Sequence, residues 1–282
     1  MSRILVLGNA TVDVIQRVAR LPVAGETLLG EPPLRCAGGK GLNQAIVAAR
    51  TGAAVDFAAA IGDDAEAALL RAAIAGEGLQ RLDWIVVDAP TDLSSIWVDA
   101  EGRNMIVSSA ACAAALSPAQ AAARAGAMAA GDWLLMQGNL SSAATQAAAA
   151  AACARGVRVA INAAPIAFDW TAILPLCDLL VVNEVEAATL CGGEDPRMAA
   201  RRLAAGCDVV LTLGAAGAVL QARDAATLIA APRAARRRAG SRRGAGSPPS
   251  RRRRARRARR HPRRGRHRGG RCRSMPCAPH PT

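Results

Sequence analysis

The sequence has no apolar run long enough to span a membrane, no Cys-x-x-Cys pair, a single lysine, and no acidic residue after Asp224. Each absence excludes something. The longest charge-free windows, residues 133–154 and 104–123, are mostly Ala, Ser, Gln and Asn. A spanning helix needs about 20 predominantly apolar residues, so a membrane role is excluded despite a hydrophobic fraction of 51% and a mean hydropathy of +0.16. Near the N-terminus, Ile4-Leu5-Val6-Leu7 gives way at once to Gly8-Asn9, too short for the apolar part of a secretory signal. The eight cysteines, at 36, 112, 153, 177, 191, 207, 272 and 277, are scattered, which predicts reduced thiols and a cytoplasmic setting. Cys272 and Cys277 have His261, His267 and His280 nearby, but the spacing matches no standard zinc site.

The net charge of +14 conceals two unlike segments. Residues 1–232 hold all 22 acidic residues against 16 basic ones, whereas residues 233–282 hold 20 arginines and no acid. The second segment also lacks Leu, Ile, Val and Phe. Without such side chains it cannot offset the entropy of ordering, so it is expected to be a disordered basic tail. Residues 1–232 are expected to form one domain.

Within that domain, short β-branched or Leu-rich runs alternate with helical stretches. Strands are predicted at 4–7, 55–60, 84–87, 133–137, 157–162, 179–183, 209–213 and 218–221, and such runs suit strands buried on both faces. Helices are predicted at 41–50, 65–76, 117–129, 141–154, 184–190 and 196–205. Leu42, Ala45, Ile46 and Ala49 fall on one helical face, and Ser117-Pro118 and Asp195-Pro196 are helix starts. The alternation predicts an α/β fold with a doubly wound, mainly parallel sheet. Two stretches, 14–36 and 94–107, read instead as β-ribbon, the second turning at Asp99-Ala100-Glu101-Gly102-Arg103. They are expected to form a small separate layer, either a lid over the mouth of the sheet or a dimer edge.

Four motifs can carry chemistry. Cys36-Ala37-Gly38-Gly39-Lys40-Gly41-Leu42-Asn43-Gln44 is a glycine-rich turn opening a helix, a place where backbone can approach a ligand and anionic or hydroxyl-rich groups are favoured. It contains the only lysine and lacks the order of a Walker A loop. Thr11 and Asp13 follow Gly8-Asn9 at the carboxyl end of the first strand, where open α/β sheets place ligands. Asn183-Glu184-Val185-Glu186 starts a helix directly after an apolar strand, so Asn183 and Glu186 can share one side and hold a hydrated Mg²⁺, or can simply be a favourable acidic helix start. Thr212-Leu213-Gly214-Ala215-Ala216-Gly217 is a strand ending in a glycine turn, either a phosphate cradle or an ordinary connection.

In order and spacing this set resembles the PfkB/ribokinase family of carbohydrate kinases over roughly residues 3–230. The resemblance rests on the Asp13 segment, the Gly38-Gly39-Lys40-Gly41-x-Asn43-Gln44 turn, Leu134-Leu135-Met136-Gln137, Asn183-x-x-Glu186 and Thr212-x-Gly214-x-x-Gly217. It implies transfer of the ATP γ-phosphoryl group to a sugar hydroxyl, with ATP and Mg²⁺ as cofactors and a β-lid over ribose or another small carbohydrate. By that resemblance Thr11, Asp13, Gly39, Lys40, Gly41, Asn43 and Asn139 would bind sugar. Asn183, Thr212, Gly214, Ala215 and Gly217 would line the nucleotide, and Glu186 would organise the metal. A monovalent cation and a lid-mediated homodimer are left open.

The pattern also breaks. Asn139 stands where the ribokinase pattern carries Glu, and an uncharged amide there bears on whether the sugar is ribose. Ser109-Ala110-Ala111-Cys112-Ala113 replaces a Gly-Ala-Asn type segment. The family's second signature, Asp-Thr-x-Gly-Ala-Gly-Asp, supplies the anion hole and the general base, but the region due to hold it reads Ala234-Ala235-Arg236-Arg237-Arg238-Ala239-Gly240-Ser241-Arg242-Arg243-Gly244-Ala245-Gly246-Ser247. No catalytic carboxylate is therefore assigned, and activity is expected to be impaired. A second expectation treats the tail as a basic arm that binds nucleic acid non-specifically, by charge alone and without aromatic stacking. One lysine among 36 basic residues, with abundant Ala, suggests GC-rich codons, and such codons read out of frame give Arg, Pro, Gly, Ala, Ser and His. Fresh sequencing of the locus is expected to show a frame break near codon 233, and an unbroken frame would remove that explanation.

Overall fold

The computed structural model describes residues 2–223 and 225–231. The tail from 233, the cysteine and histidine grouping within it, and Asp224 lie outside the described residues. In chain order the first elements are β1 (Ile4–Gly8), β2 (Thr11–Arg17), β3 (Leu34–Gly38), α1 (Lys40–Arg50), β4 (Val55–Ile61), α2 (Ala65–Ala73) and β5 (Arg81–Val86). Next come β6 (Leu93–Val98), β7 (Asn104–Ser108), α3 (Ala111–Ala115), α4 (Pro118–Gly126), β8 (Trp133–Gln137), α5 (Ser142–Cys153) and β9 (Arg158–Asn162). The remainder is β10 (Leu179–Asn183), α6 (Glu184–Leu190), α7 (Pro196–Leu203), β11 (Asp208–Thr212), β12 (Ala218–Gln221) and β13 (Ala226–Ile229).

Nine strands form one sheet in the order β13-β12-β11-β10-β9-β8-β1-β4-β5, and four form a second in the order β3-β2-β6-β7. From β5 to β11 the large sheet is parallel, and β12 and β13 close it antiparallel. This is the expected mainly parallel α/β sheet. The order reverses between β1 and β8, which leaves a crevice outside the carboxyl ends of those two strands.

Alternation along β1 explains why both faces are covered. Leu5 and Leu7 join Leu134, Met136, Ile161, Leu180 and Leu211 beneath α4–α7, while Val6 joins Val55, Phe57 and Ile61 beneath α1 and α2. Side chains of this size contribute roughly 1.5–3 kcal/mol each on full burial. Helix α5 buries only small residues, Ala144, Thr145, Ala148, Ala149 and Ala152. Alanine has the best helix propensity, and its short side chain lets the helix axis lie close to the sheet. Helix α4 begins at the expected Ser117-Pro118, where Ser117 and Gln120 form a reciprocal capping box. The helix predicted at 65–76 ends at Ala73, and the short α3 has no counterpart among the predicted elements. Five residues, four of them Ala, carry too little periodicity to mark a helix.

The small sheet corrects the expected ribbon at 14–36. Its first strand starts at Thr11, and no strand lies between Val18 and Pro33. Pro22, Pro32 and Pro33 lack the N–H that a ladder needs, which confines pairing to the two ends of that stretch. Thr11 and Asp13 consequently belong to the small sheet, with Asp13 opposite Cys36, and do not belong to the end of β1. The second ribbon turns where expected, because Asp99 Oδ1 accepts from the N–H groups of Glu101 and Arg103. Its base is pinned by Asp92, whose two carboxylate oxygens accept from Cys112 at 3.0 Å and Ala113 at 3.1 Å. Among the described residues no helix is long and apolar enough to cross a membrane. Cys112, Cys153, Cys177, Cys191 and Cys207 are free thiols.

At the opposite, amino-terminal edge of the large sheet, Asp132 joins the start of β1 to the end of α4. Its carboxylate accepts from Arg3 N at 2.8 Å and Ala129 N at 3.1 Å, and it lies 3.7 Å from the Arg3 guanidinium. Burial pushes this carboxyl up, but the two N–H donors and the Arg3 charge outweigh it, so the group sits below the usual carboxylate range. The sign follows from linkage: the contribution is complete above the unfolded value near ~3.9 and disappears as pH falls through the lower folded value. Asp132→Asn should therefore cost about 1–3 kcal/mol at pH 7. The gap to the parent chain should narrow in denaturant melts below pH 4, and a pH-independent gap would contradict this role.

Candidate active site

Strands β1, β8, β9, β10 and β11 run parallel, so their last residues, Gly8, Gln137, Asn162, Asn183 and Thr212, line up along one edge of the sheet. The register sets Gln137 beside Asn162 and Asn183 beside Thr212. With ~4.8 Å between neighbouring strands, β8 and β10 end about 10 Å apart. The small sheet springs from the same edge, since β2 begins three residues after β1 ends.

The glycine turn seats α1 on the end of β1. Gly39 has φ +98°, and a Cβ there would come within 3.0 Å of Ala10 Cα, Asn9 O and Thr11 N. A Cβ on Gly41 would meet Asn9 N at 2.7 Å and Asn9 O at 2.8 Å. Through that close approach Asn9 Oδ1 accepts from Gly41 N at 3.1 Å, and Asn9 O accepts from Leu42 N at 3.0 Å. Beside the turn, Thr11 Oγ1 donates to Asp13 Oδ1 at 2.7 Å. The other Asp13 oxygen lies where a Cβ on Gly38 would come within 2.0 Å, so the absence of a side chain at Gly38 makes room for the carboxylate. Lys40 and Asn43 are exposed on the first turn of α1, and Thr11 is buried.

Asn139 lies just past β8. Its Oδ1 is buried without a hydrogen-bond partner. The preceding Gly138 donates its N–H to Asn162 O and Ala164 O, and Pro165 O occupies the space a Cβ on Gly138 would need.

The second group lies further along the edge. Asn183 Oδ1 accepts from Glu186 N at 2.8 Å, and Glu186 Oε2 accepts from Asn183 N at 2.8 Å. This reciprocal box caps α6, so the ordinary helix-start reading of these residues is fulfilled in the structure. Thr212 Oγ1 donates to Val182 O at 3.4 Å. The turn from Gly214 to Ala216 joins β11 to antiparallel β12 and is thus a hairpin connection. Gly217 has its own structural reason: φ is +101°, and a Cβ would come within 2.0 Å of Ile229 O. Gly214 and Ala215 are exposed at the tip.

The structure thus gathers Thr11, Asp13, Gly39, Lys40, Gly41, Asn43 and Asn139 at the reversal point. Asn183, Glu186, Thr212, Gly214, Ala215 and Gly217 gather two to three strands away. The quoted motifs include Asn9, Gln44 and Gln137 but gave them no role, and they did not include Asp92. A polar residue ending a buried strand, as Gln137 does, was the available signal. Around Asp92, burial pushes the carboxyl up against the N–H bonds that it accepts, and burial with the nearby Asp92 and Asp64 raises the Cys112 thiol to about 11. Such a thiol stays protonated at neutral pH and is unsuited to nucleophilic work.

A mainly parallel sheet with a small β-sheet rising from its carboxyl edge defines a ribokinase-like fold. The match to solved structures agrees: "Crystal Structure of Sa239" superposes with a TM-score of 0.73 at 28% identity, covering 82% of this chain and 80% of that one. The ribokinase of Thermotoga maritima gives 0.71 at 24% identity, covering 82% and 78%. By sequence, the chain is 32% identical over 232 residues to a ribokinase of Haemophilus influenzae, covering 79% of this chain and 76% of that protein. A mouse ribokinase is 32% identical over 234 residues, covering 77% and 70%. The model of the pfkB family carbohydrate kinases matches residues 1–246, and the chain belongs to that family.

Two glycines give a direct check of this geometry. Gly41→Ala drives a methyl into the Asn9 backbone and should cost about 1–3 kcal/mol. Gly38→Ala first meets the Asp13 carboxyl, side-chain atoms in place of main chain, and should cost less than Gly41→Ala. Urea melts of the two variants should rank in that order, and the reverse ranking would contradict the seating described.

Proposed function

We propose that the chain binds a small sugar at the reversal point and ATP along the edge toward β11, as an ATP-dependent sugar kinase whose catalytic step is impaired. The observation that carries this is the convergence of the glycine turn, Asp13 and the root of the small sheet at the carboxyl edge. Thr11, Asp13, Gly39, Lys40, Gly41, Asn43 and Asn139 would hold sugar hydroxyls. The buried, unpartnered Asn139 Oδ1 supports this, since an acceptor so placed gains most from a ligand hydroxyl. The names of the curated relatives favour ribose. The amide at Asn139, where a ribokinase carries a carboxylate, extends the candidates to other small carbohydrates.

Asn183, Thr212, Gly214, Ala215 and Gly217 would line the nucleotide. Mg²⁺ fits this site in one way. Among the described residues no three His, Cys, Asp or Glu side chains converge to hold a metal. A hydrated Mg²⁺ carried on nucleotide phosphates needs only one or two carboxylates, and Glu186 supplies one. It would neutralise charge on the transferring phosphoryl group.

Impairment follows from composition. No carboxylate lies beyond Asp224, and loss of a general base slows transfer by about 10²–10⁴-fold. The exposed Leu34, Met105, Ile106 and Val107 at the borders of the small sheet support a homodimer formed there, with the sheet serving as a lid. Scattered free thiols support a cytoplasmic location. A domain boundary near 232 follows from the charge break, although the family match runs 14 residues further, to 246. The 20 arginines beyond it support non-specific nucleic-acid binding as a second property.

The purified 282-residue chain should bind D-ribose or another pentose, and a non-hydrolysable ATP analogue, by calorimetry. Its sugar-dependent ATP turnover should fall at least 100-fold below that of a chain carrying the family's Gly-Ala-Gly-Asp segment. Full turnover would overturn the impairment, and no binding to any small sugar would overturn the sugar site.

A further inference from the structure

The first turn of α1 has no side-chain cap: Gly39 precedes it with φ +98° and has no side chain to offer its N–H groups. Two amides from neighbouring strands hold the turn instead. One is Asn9, which accepts from Gly41 N. The other is Gln137, the last residue of β8, which is 0% exposed and donates Nε2 to Gln44 Oε1 at 2.7 Å. Gln44 stands four residues after Lys40, on the same face of the helix, so fixing it fixes the rotation of the turn.

Gln137 reaches Gln44 only because two glycines let it pass. A Cβ on Gly8 would come within 1.9 Å of Gln137 Oε1, and one on Gly41 within 2.9 Å. That Oε1 is buried and has no hydrogen-bond partner. An aliphatic residue would be the ordinary occupant of a fully enclosed strand end, since an unpaired buried acceptor is costly. Packing alone therefore does not account for an amide here. The bond to Gln44 does.

We infer that Gln137 is a positioning residue for the sugar site: through Gln44 it sets the orientation of the first turn of α1, and with it Lys40 and Asn43, without touching the substrate. The inference rests on the sugar reading above for what Lys40 and Asn43 do, but the clamp itself is independent of that reading.

The test uses the full 282-residue chain with Gln137→Met, which keeps volume and removes the amide, and with Gln44→Met, which removes the partner at a half-buried position. Hydrogen exchange of residues 39–44 without ligand should quicken at least tenfold in both variants, while α4 and α5 keep the parent rates. The Kd for D-ribose should rise at least tenfold, while that for a non-hydrolysable ATP analogue stays within twofold. If Gln137→Met does not fold, Gln44→Met decides by the same readouts. Exchange within twofold of the parent, or equal weakening of both ligands, would overturn the positioning role. Faster exchange confined to α1 in both variants, together with a parent chain that binds no ribose, would uphold the clamp and count against the sugar reading.

Discussion

The candidate site depends on the close approach of the α1 backbone to the backbone at the end of β1. Gly39 and Gly41 lie where a Cβ would stand 2.7–3.0 Å from main-chain atoms of Asn9, Ala10 and Thr11. With side chains excluded, the peptide groups of Asn9 and α1 bond directly, and the helix start becomes part of the sheet edge. Hydroxyl-rich ligands suit such a place, because oriented N–H groups and a helix N-terminus converge there without competing side chains. The small sheet depends on the same contact, since β2 leaves the large sheet immediately after Asn9.

On the proposed reading, binding and chemistry are separable in this chain. The groups proposed to hold the sugar and the nucleotide all precede residue 218, within the described residues. The carboxylate that the family resemblance assigns to proton transfer would come later, where the sequence holds no acidic residue. Phosphoryl transfer relies chiefly on positioning and charge neutralisation. A chain with the positioning apparatus and without the base is thus expected to remain a ligand-binding protein while losing most of its rate.

Much of the fold was legible in sequence because parallel strands buried on both faces must be short, apolar and regularly spaced. The runs at 4–7, 55–60, 133–137 and 179–183 lie within strands of the structure for that reason. The stretch 14–36 was less legible. Its apolar residues suggested a ribbon, but Pro22, Pro32 and Pro33 restrict pairing to its ends, and the strand extends backward to include Thr11 and Asp13. Helix α3 was invisible because four of its five residues are alanine. Among site residues, the glycine turn and Asn183-x-x-Glu186 were marked by motif, whereas Gln137 and Gln44 are 93 positions apart and become a pair only when β8 lies beside β1.

Sequence alone settled most of the strand and helix alternation of the large sheet, the family resemblance and the absence of any acid after Asp224, because periodicity, glycine placement and composition are local properties of the chain. Tertiary structure alone decided which elements share an edge. It made Asn183 and Glu186 a helix cap, turned Thr212–Gly217 into a hairpin, and brought Gln137 under the glycine turn. Contacts of that kind follow from strand order and register, which join residues far apart in sequence and leave no mark on either partner taken singly.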